Sequence, residues 1–335
     1  MQWLIRIGIV CSLLTASAAL ADAVKLRMGS LIPKNSIYHR VLLEMGESWK
    51  KAQNDGSTFT LYTDGSQGSE TDTVKRMRIG QLNAALITVV GLHEIEPTVS
   101  ALQHMPLVFR SWEELDYVRE KLRPAMEKKF LDKGYVVLLW GDAGWVRFFS
   151  KEPARRPDDF KRMKMFTWAG ESEQAEIMRA MGYQPVSLET SDMLPALQTG
   201  LISVVPATPY YALTAQFVGP APHMLDLNWA PIVGALVITH KAWNAMSPAG
   251  QEALRAAAVK HGPQMRAKAR TDVDEAVAAM QKRGLQVTTL SAEQKAEWYK
   301  FAEGVYPKIR GKLVPADTFD EVQRLLADYR ADRVK

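Results

Sequence analysis

The chain has 335 residues, with 42 lysines and arginines against 37 aspartates and glutamates and a formal net charge of +5. Its basic residues are scattered among acidic ones, which argues against a nucleic-acid-binding tract or a membrane-binding patch. The single cysteine, Cys11, leaves the rest of the chain without a disulfide framework, thiol catalysis or a cysteine-ligated metal. This length predicts two domains or one elaborate domain.

The N-terminal segment predicts a secretory signal peptide. Arg6 precedes an apolar run over residues 7–14, and small residues form a cleavage-like site at 19–21. The apolar run is too short to span a bilayer, which needs about 20 residues. We therefore expect export to the periplasm, with cleavage after Ala21 and a mature chain that begins at Asp22.

Strands and helices alternate in the next part of the chain. Apolar–polar alternation indicates strands, and apolar spacing of three and four residues indicates helices. In chain order we predict a strand at 24–30, a helix at 37–53, a strand at 57–63, a helix at 69–79 and an apolar strand at 82–90. This β-α-β-α-β order is typical of a doubly wound fold, with the apolar strand inside a parallel sheet.

The same order recurs further along. We predict strands at 135–140, 145–149 and 164–167, helices at 171–181 and 191–199, and a strand at 201–205. Residues 73–82 and 192–201 both indicate a short helix, a glycine cap and an apolar strand, so we interpret them as equivalent units of two similar lobes. A long helix over 248–282 has its N-cap at Ser247. A strand at 285–289 and two C-terminal helices follow it.

No low-complexity linker divides the chain, so we expect the lobes to share elements. The predicted organisation is a signal peptide at 1–21, mainly the first lobe at 22–145 and mainly the second lobe at 146–235. Crossing strands, the long helix and the C-terminal helices at 236–335 are expected to be shared by both lobes.

Six segments, taken in order, carry a family resemblance. They are DGSQGSE at 64–70, RIGQL at 78–82, MPLVFRS at 105–111, PDDFKRMKM at 157–165, ALQTG at 196–200 and WNAMSP at 243–248. Over nearly the whole mature chain this sequence resembles the solute receptors of tripartite ATP-independent periplasmic (TRAP) transporters, of the dicarboxylate-receptor (DctP) type. The resemblance implies an α/β, periplasmic-binding-protein-like fold. Its two doubly wound lobes are joined by crossing strands and a long helix, and they close on a solute in the cleft between them.

The departures from the family pattern concern the ligand. After the segment at 157–165 the family usually presents an arginine that pairs bidentately with the substrate carboxylate, whereas this chain has Phe166. A second family arginine would fall near Trp145 or Val146, with Arg147 one or two places away. The family's asparagine is missing from residues 201–208. We therefore predict that the usual carboxylate clamp is lost.

Aromatic side chains occupy or adjoin the positions where the family builds its cleft. The expected ligand-binding residues are Tyr38, Glu70, Thr88, Trp145, Arg147, Phe166, Trp168, Tyr210, Tyr211 and Trp229. Aromatic walls with few polar groups suit apolar or amphipathic small molecules. Any one of these rings could equally belong to the core, because large aromatic residues are mostly buried.

We predict a periplasmic receptor that captures a small organic solute, more apolar or aromatic than a dicarboxylate, and delivers it to integral membrane TRAP permease subunits. One alternative is a conventional organic-acid receptor that uses Arg147 or Lys164. Another is a periplasmic ligand sensor for a membrane kinase. We expect no enzyme, cofactor, metal or nucleic acid and a monomeric protein. The acidic pair Asp158-Asp159 precedes a strand, and the six histidines lack metal-site spacing.

Overall fold

The computed structural model describes residues 23–333. The predicted signal peptide, its cleavage site and Asp22 lie outside the described residues. Within the described range, no helix combines the length and the apolar character needed to cross a bilayer.

The described residues form alternating strands and helices. The strands are β1 (Lys25–Ser30), β2 (Thr58–Tyr62), β3 (Ala84–Thr88), β4 (Tyr135–Trp145), β5 (Arg147–Ser150), β6 (Lys164–Trp168), β7 (Gln184–Leu188), β8 (Val204–Ala207), β9 (His223–Leu225), β10 (Pro231–Thr239) and β11 (Gln286–Thr288). The α-helices are α1 (Ile37–Gln53), α2 (Glu70–Arg78), α3 (Val89–His93), α4 (Trp112–Asp132), α5 (Ser172–Ala180), α6 (Met193–Thr199), α7 (Pro209–Thr214), α8 (His240–Asn244), α9 (Pro248–Gln281), α10 (Ala292–Ile309) and α11 (Ala316–Asp332). Short 3-10 helices cover Pro97–Leu102, Pro157–Arg162 and Thr190–Asp192.

Two mixed sheets define two lobes. The sheet of lobe 1 has the order β2-β1-β3-β10-β4, and the sheet of lobe 2 has the order β11-β9-β5-β8-β6-β7. β1 pairs in parallel with β2 and β3, while β10 runs antiparallel to β3 and β4. In lobe 2, β6 is parallel to β7 and β8, and β5 is antiparallel to β8 and β9. The predicted two-lobed α/β fold is confirmed.

The repeated helix–glycine–strand unit is also present. Ser69 caps α2 by accepting from the backbone N–H of Asp72. Gly80 follows α2 and Gly200 ends α6, with φ of 75° and 78°, a region that glycine adopts without a steric penalty. The unit leads into β3 in lobe 1 and into β8 in lobe 2, so its two copies lie in different sheets as expected.

The two lobes are joined where β4 leaves lobe 1. A single residue, Val146, separates β4 from β5, although we expected one strand over 145–149. The Val146 N–H donates to the Ala230 carbonyl (2.8 Å), and the Trp229 N–H donates to the Val146 carbonyl (3.0 Å). The two strands part at Val146, since Trp145 still pairs with Pro231 in the sheet of lobe 1, whereas Arg147 pairs with Ala207 in the sheet of lobe 2. β10 belongs wholly to lobe 1, although its first residues fall in the range assigned mainly to the second lobe.

Helix α9 connects the cores of the two lobes. It begins after Ser247, whose hydroxyl accepts from the Gly250 N–H, close to the predicted start. Its N-terminal half places Leu254 and Met265 in the core of lobe 1 beside Trp49. Its C-terminal end places Met280 in the core of lobe 2. The helix is therefore shared by both lobes, as predicted.

Candidate functional site

A cavity of about 190 Å³ lies between the two lobes, and we call it the cleft cavity. Lobe 1 lines it from the ends of β1 and β3, and lobe 2 lines it from the ends of β6 and β8 and from α7. Its charged lining residues are Glu70, Asp142 and Glu189. Among the described residues, no lysine or arginine lines it.

A second cavity of about 150 Å³ adjoins the first, and we call it the inner cavity. The two cavities share the lining residues Gln103, Trp168, Pro206 and Ile232. Rings dominate the inner walls: Phe148, Phe160, Phe166, Tyr183, Trp229, Trp298 and Phe301. Glu171, His104 and the phenol of Tyr183 supply its ionisable groups, and in the part of the chain that the structure describes no lysine or arginine lines it.

The structure distributes the ten predicted site residues over three environments. Six line the cleft cavity: Tyr38, Glu70, Thr88, Trp168, Tyr210 and Tyr211. Phe166 and Trp229 line the inner cavity, and so does Trp168. Trp145 and Arg147 line neither cavity. Their role as ligand contacts, like that of the other eight, stays a prediction.

Glu70 is held by local hydrogen bonds at the wall of the cleft cavity. Its Oε1 accepts from the Thr88 N–H (2.8 Å), and its Oε2 accepts from the Thr88 hydroxyl (2.7 Å) and the Gly91 N–H (2.9 Å). The expected apolar strand over 82–90 therefore stops at Thr88, which caps α3. Burial raises the pKa of the Glu70 carboxyl, the hydrogen bonds oppose that rise, and the nearby Glu171 carboxylate adds to it.

Two tyrosines in the cleft wall also have carboxylates as neighbours. The Tyr38 hydroxyl donates to the backbone carbonyl of Asp142 (2.9 Å), linking α1 to β4. Burial, and then the Asp142 carboxylate, raise the pKa of Tyr38 far above its usual range. Burial and the Asp64 carboxylate raise the pKa of Tyr211 to about 12. Both phenols therefore stay neutral donors at physiological pH.

Trp145 and Arg147 are engaged elsewhere. Trp145 is in the core of lobe 1, and its ring centroid lies 4.7 Å from that of Trp112. Arg147 Nη1 lies 3.0 Å from Asp226 Oδ1. Lys164, the other cation considered for a carboxylate ligand, is exposed and lines neither cavity.

A partly buried charge cluster behind the cleft was not anticipated from the sequence. We call it the framework cluster: Asp116, Arg119, Asp142, Arg266 and Arg270. Asp142 Oδ1 lies 2.6 Å from Arg119 Nη1, and Asp142 Oδ2 lies 3.0 Å from Arg270 Nε. Arg270 also pairs with Asp116 at 2.7 Å. The spacing of Asp116 with Arg119 and of Arg266 with Arg270 on their helices was the only available signal, because Asp142 arrives from a distant strand.

The two lobes touch each other across the cavities. His104 Nε2, from lobe 1, lies 3.1 Å from Glu171 Oε1, from lobe 2, and both side chains are more than nine-tenths buried. His104 Nδ1 and Glu171 Oε2 have no hydrogen-bond partner within residues 23–333. Gly170 lies against Thr71, since a Cβ at Gly170 would be 2.7 Å from Thr71 Oγ1. The lobes are thus closed on one another.

The arrangement offers a binding site. Within the described range, no group of three or more histidine, cysteine, aspartate or glutamate side chains could hold a metal ion. What the geometry provides is an apolar, ring-lined space between two lobes, with hydroxyls and carboxylates at its walls. Such a space can hold a small molecule and close over it.

Comparisons with known proteins agree with this arrangement. Residues 28–312 match the DctP family model, described as bacterial extracellular solute-binding protein, family 7. The chain is 20% identical to the C4-dicarboxylate-binding periplasmic protein DctP of Rhodobacter capsulatus, over 95% of each chain. A TRAP periplasmic solute-binding protein of Ralstonia eutropha H16 with bound (S)-2-acetolactate superposes with a TM-score of 0.82 at 19% identity, covering 91% of this chain and 99% of that one. A Shewanella oneidensis counterpart with bound succinate gives 0.82 at 16% identity, with the same coverage.

Proposed function

Because the chain belongs to the DctP family of bacterial extracellular solute-binding proteins, we propose that it is the receptor of a TRAP transporter. In this role it captures a small organic solute between its lobes and hands it to the integral membrane permease subunits. Membership of a family of solute-binding proteins also confirms the prediction of a binding protein and not an enzyme.

The single observation that carries this proposal is the cleft cavity itself. Both lobes line it, and the connection between them consists of short crossing segments near Val146 and the long helix α9. Such a connection permits hinge closure, the established motion of periplasmic receptors. A ligand drives closure only through contacts that it makes better in the closed state, and residues from both lobes are placed to make them.

The proposed solute is more apolar than a dicarboxylate. The relatives from Ralstonia eutropha and Shewanella oneidensis hold acetolactate and succinate. Here no lysine or arginine among the described residues lines either cavity, and Phe166 stands in the inner wall. A buried carboxylate without a cationic partner costs several kcal/mol. Arg147 is paired with Asp226 and Lys164 is exposed, so neither supports the organic-acid alternative.

Export of the receptor is a second part of the proposal. The family is periplasmic, and residues 1–21 carry the signal-peptide pattern, so the exported chain is expected to begin at Asp22. Mass analysis of exported protein tests this, and an intact Met1 or a lipid on Cys11 would contradict it. Neighbouring permease genes would support transport, whereas a kinase gene alone would support the sensor alternative.

Native mass spectrometry of freshly purified full-length protein tests the main proposal, since tight ligands survive purification. A thermal-shift screen follows, because a ligand at 100 times its Kd stabilises a protein by about 2.7 kcal/mol. Scattering should then show a smaller radius of gyration with the solute.

The Trp168→Ala variant should bind more weakly, because Trp168 lines both cavities. Tyr299→Ala is the matched control, since Tyr299 is a half-exposed ring that lines neither cavity. Normal binding by Trp168→Ala, or a radius that does not change with the solute, would contradict the proposed site.

A further inference from the structure

The carboxylates of the cleft cavity differ in how their charge is compensated. Asp142 is matched by two arginines of the framework cluster. Glu70, from lobe 1, and Glu189, from lobe 2, form no salt bridge with any residue in the range 23–333. Each lobe therefore contributes to the cavity wall one carboxylate that lacks a salt bridge, although neutral donors hydrogen-bond to Glu70.

Like charges also meet across the closed cleft. Burial raises the pKa of the Glu189 carboxyl, and the Asp72 and Asp192 carboxylates raise it further. Asp72 belongs to lobe 1, so this repulsion acts between lobes. Glu171 of lobe 2 acts on Glu70 of lobe 1 in the same way. Closure without a ligand thus brings negative charges together.

A buried acceptor in the adjoining space provides an independent observation. Glu171 lines the inner cavity with only 6% of its side chain exposed, and its Oε2 has no hydrogen-bond partner among the described residues. A buried acceptor that lacks a donor is costly, so this atom is suited to a ligand that donates.

Aromatic faces complete the walls. Tyr38, Tyr210, Tyr211 and Trp168 line the cleft cavity. Such rings attract a cation through their negative faces, and a desolvated site strengthens that attraction. The volume of about 190 Å³ suits a small ring or branched chain, since an apolar cavity of about 150 Å³ holds benzene.

We propose that the solute is an organic monocation, a protonated amine on an aromatic or branched aliphatic body, whose ammonium group lies in the cleft cavity between Glu70 and Glu189. This inference rests on the proposed receptor function and names its solute class. The ammonium group supplies three donors and a positive charge to a space that has acceptors and no cation of its own. It also relieves the repulsion between the lobes, so the cation binds the closed state in preference to the open one.

Two matched pairs of probes test the sign of the charge. The aromatic pair is 2-phenylethylamine and phenylacetate, and the aliphatic pair is 3-methylbutylamine and 4-methylpentanoate. Isothermal titration calorimetry and small-angle scattering at pH 7.4 would measure affinity and closure. We expect at least one amine to bind at least tenfold more tightly than its carboxylate partner and to reduce the radius of gyration.

The Glu189→Gln variant should lose at least tenfold in affinity for that amine. Glu173→Gln is the control, because it removes the same charge from an exposed position of lobe 2 and should leave affinity unchanged. Equal losses in both variants would mean that only long-range charge is felt, which overturns the inference.

The inference and the receptor function fail in different ways. If a carboxylate binds more tightly than its matched amine, or if neither amine binds, the proposal of a cationic solute is overturned. The receptor function would still stand in that case if another ligand closed the lobes. If no copurified ligand and no ligand from the screen changes the radius of gyration, the receptor function itself is contradicted.

Discussion

Asp142 and Glu70 are both buried carboxylates in the wall of the cleft cavity, but they belong to two differently built regions. Asp142 is locked to Arg119 of α4 and Arg270 of α9, behind the cavity. Glu70 accepts three hydrogen bonds from neutral donors and forms no salt bridge with any of residues 23–333. The guanidinium groups thus lie in the scaffold around the cleft, whereas carboxylates and aromatic rings line the cleft cavity itself.

Charged side chains therefore have two roles in this molecule: ion pairs hold the scaffold together, and carboxylates without a salt bridge line the cleft cavity. Ion pairs in the framework cluster hold α4, β4 and α9 together, and their geometry is complete without a ligand. Glu70 and Glu189 line the cavity without a salt bridge to any residue in the range 23–333, so a bound molecule can change the energy of their carboxylates. Stability should therefore respond to changes in the first region, and binding should respond to changes in the second.

The largest expected effect tests the framework cluster. Asp142→Asn should lower the free energy of unfolding by about 4 kcal/mol, because it leaves buried arginines short of a partner. Urea denaturation would measure this. Glu321→Gln is the control, since its pair with Arg324 lies on the surface and should cost less than about 1 kcal/mol. Similar losses in both variants would remove the distinction between the two regions.

Phe166→Ala sharpens the comparison at the position where the family resemblance leads us to expect an arginine. Phe166 is 1% exposed and packs in the core of lobe 2 with Met193 and Trp168. Truncation should cost about 3 kcal/mol of unfolding free energy, whereas Phe166→Leu should cost less than about 1.5 kcal/mol. Denaturation of both variants would measure the costs. A loss of affinity with no loss of stability would instead make the ring a ligand contact only.

The contact between the lobes should affect affinity more than stability. Glu171→Gln weakens the hydrogen bond to His104, which joins lobe 2 to lobe 1 and would be lost if the lobes moved apart. Affinity for the copurified solute should fall about tenfold, equal to about 1.4 kcal/mol. Calorimetry and scattering would report it. The exposed Glu173→Gln variant undergoes the same change of charge and should bind normally. If Glu171→Gln and Glu173→Gln bound the solute with the same affinity, the contact between His104 and Glu171 would not favour closure.

The smallest effect concerns pH. Because burial raises the pKa of Glu70 above its usual 4.5, the folded protein holds that proton more tightly than the unfolded chain. The resulting stability is present below the usual value and is lost as pH rises through the raised one. The stability of the unmodified protein relative to Glu70→Gln should therefore fall as pH rises above the usual value of 4.5, measured by denaturation at each pH. A rise of this difference with pH would contradict the buried carboxyl.

Local patterns predicted the fold well. The long helix, the glycine-ended units and the predicted succession of strands and helices along the chain depend on caps and periodicity, which neighbouring residues encode. The expected helix over 191–199 corresponds to the 3-10 turn Thr190–Asp192 and α6. The strand predicted at 145–149 is present as β5, two residues further on, but the sequence did not show that β4 continues to Trp145, which only its pairing with β10 reveals.

The site was harder to predict, because contacts between distant segments build it. Arg147 is paired with Asp226, and Trp145 with Trp112, across loops that no spacing rule connects. Glu189 and Glu171 carry no motif, so their position facing lobe 1 emerges only from the folded lobes. The inner cavity likewise needs the rings of α10, far along the chain from β6.

Helix α9 has a consequence for how the molecule comes apart. This continuous helix contributes Leu254 and Met265 to the core of lobe 1 and Met280 to the core of lobe 2. Neither core can therefore unfold without exposing part of that helix. The two lobes should melt as one cooperative unit, with a single transition in calorimetry. A molecule bound in the cleft therefore protects residues that it never touches, out to the far end of each lobe.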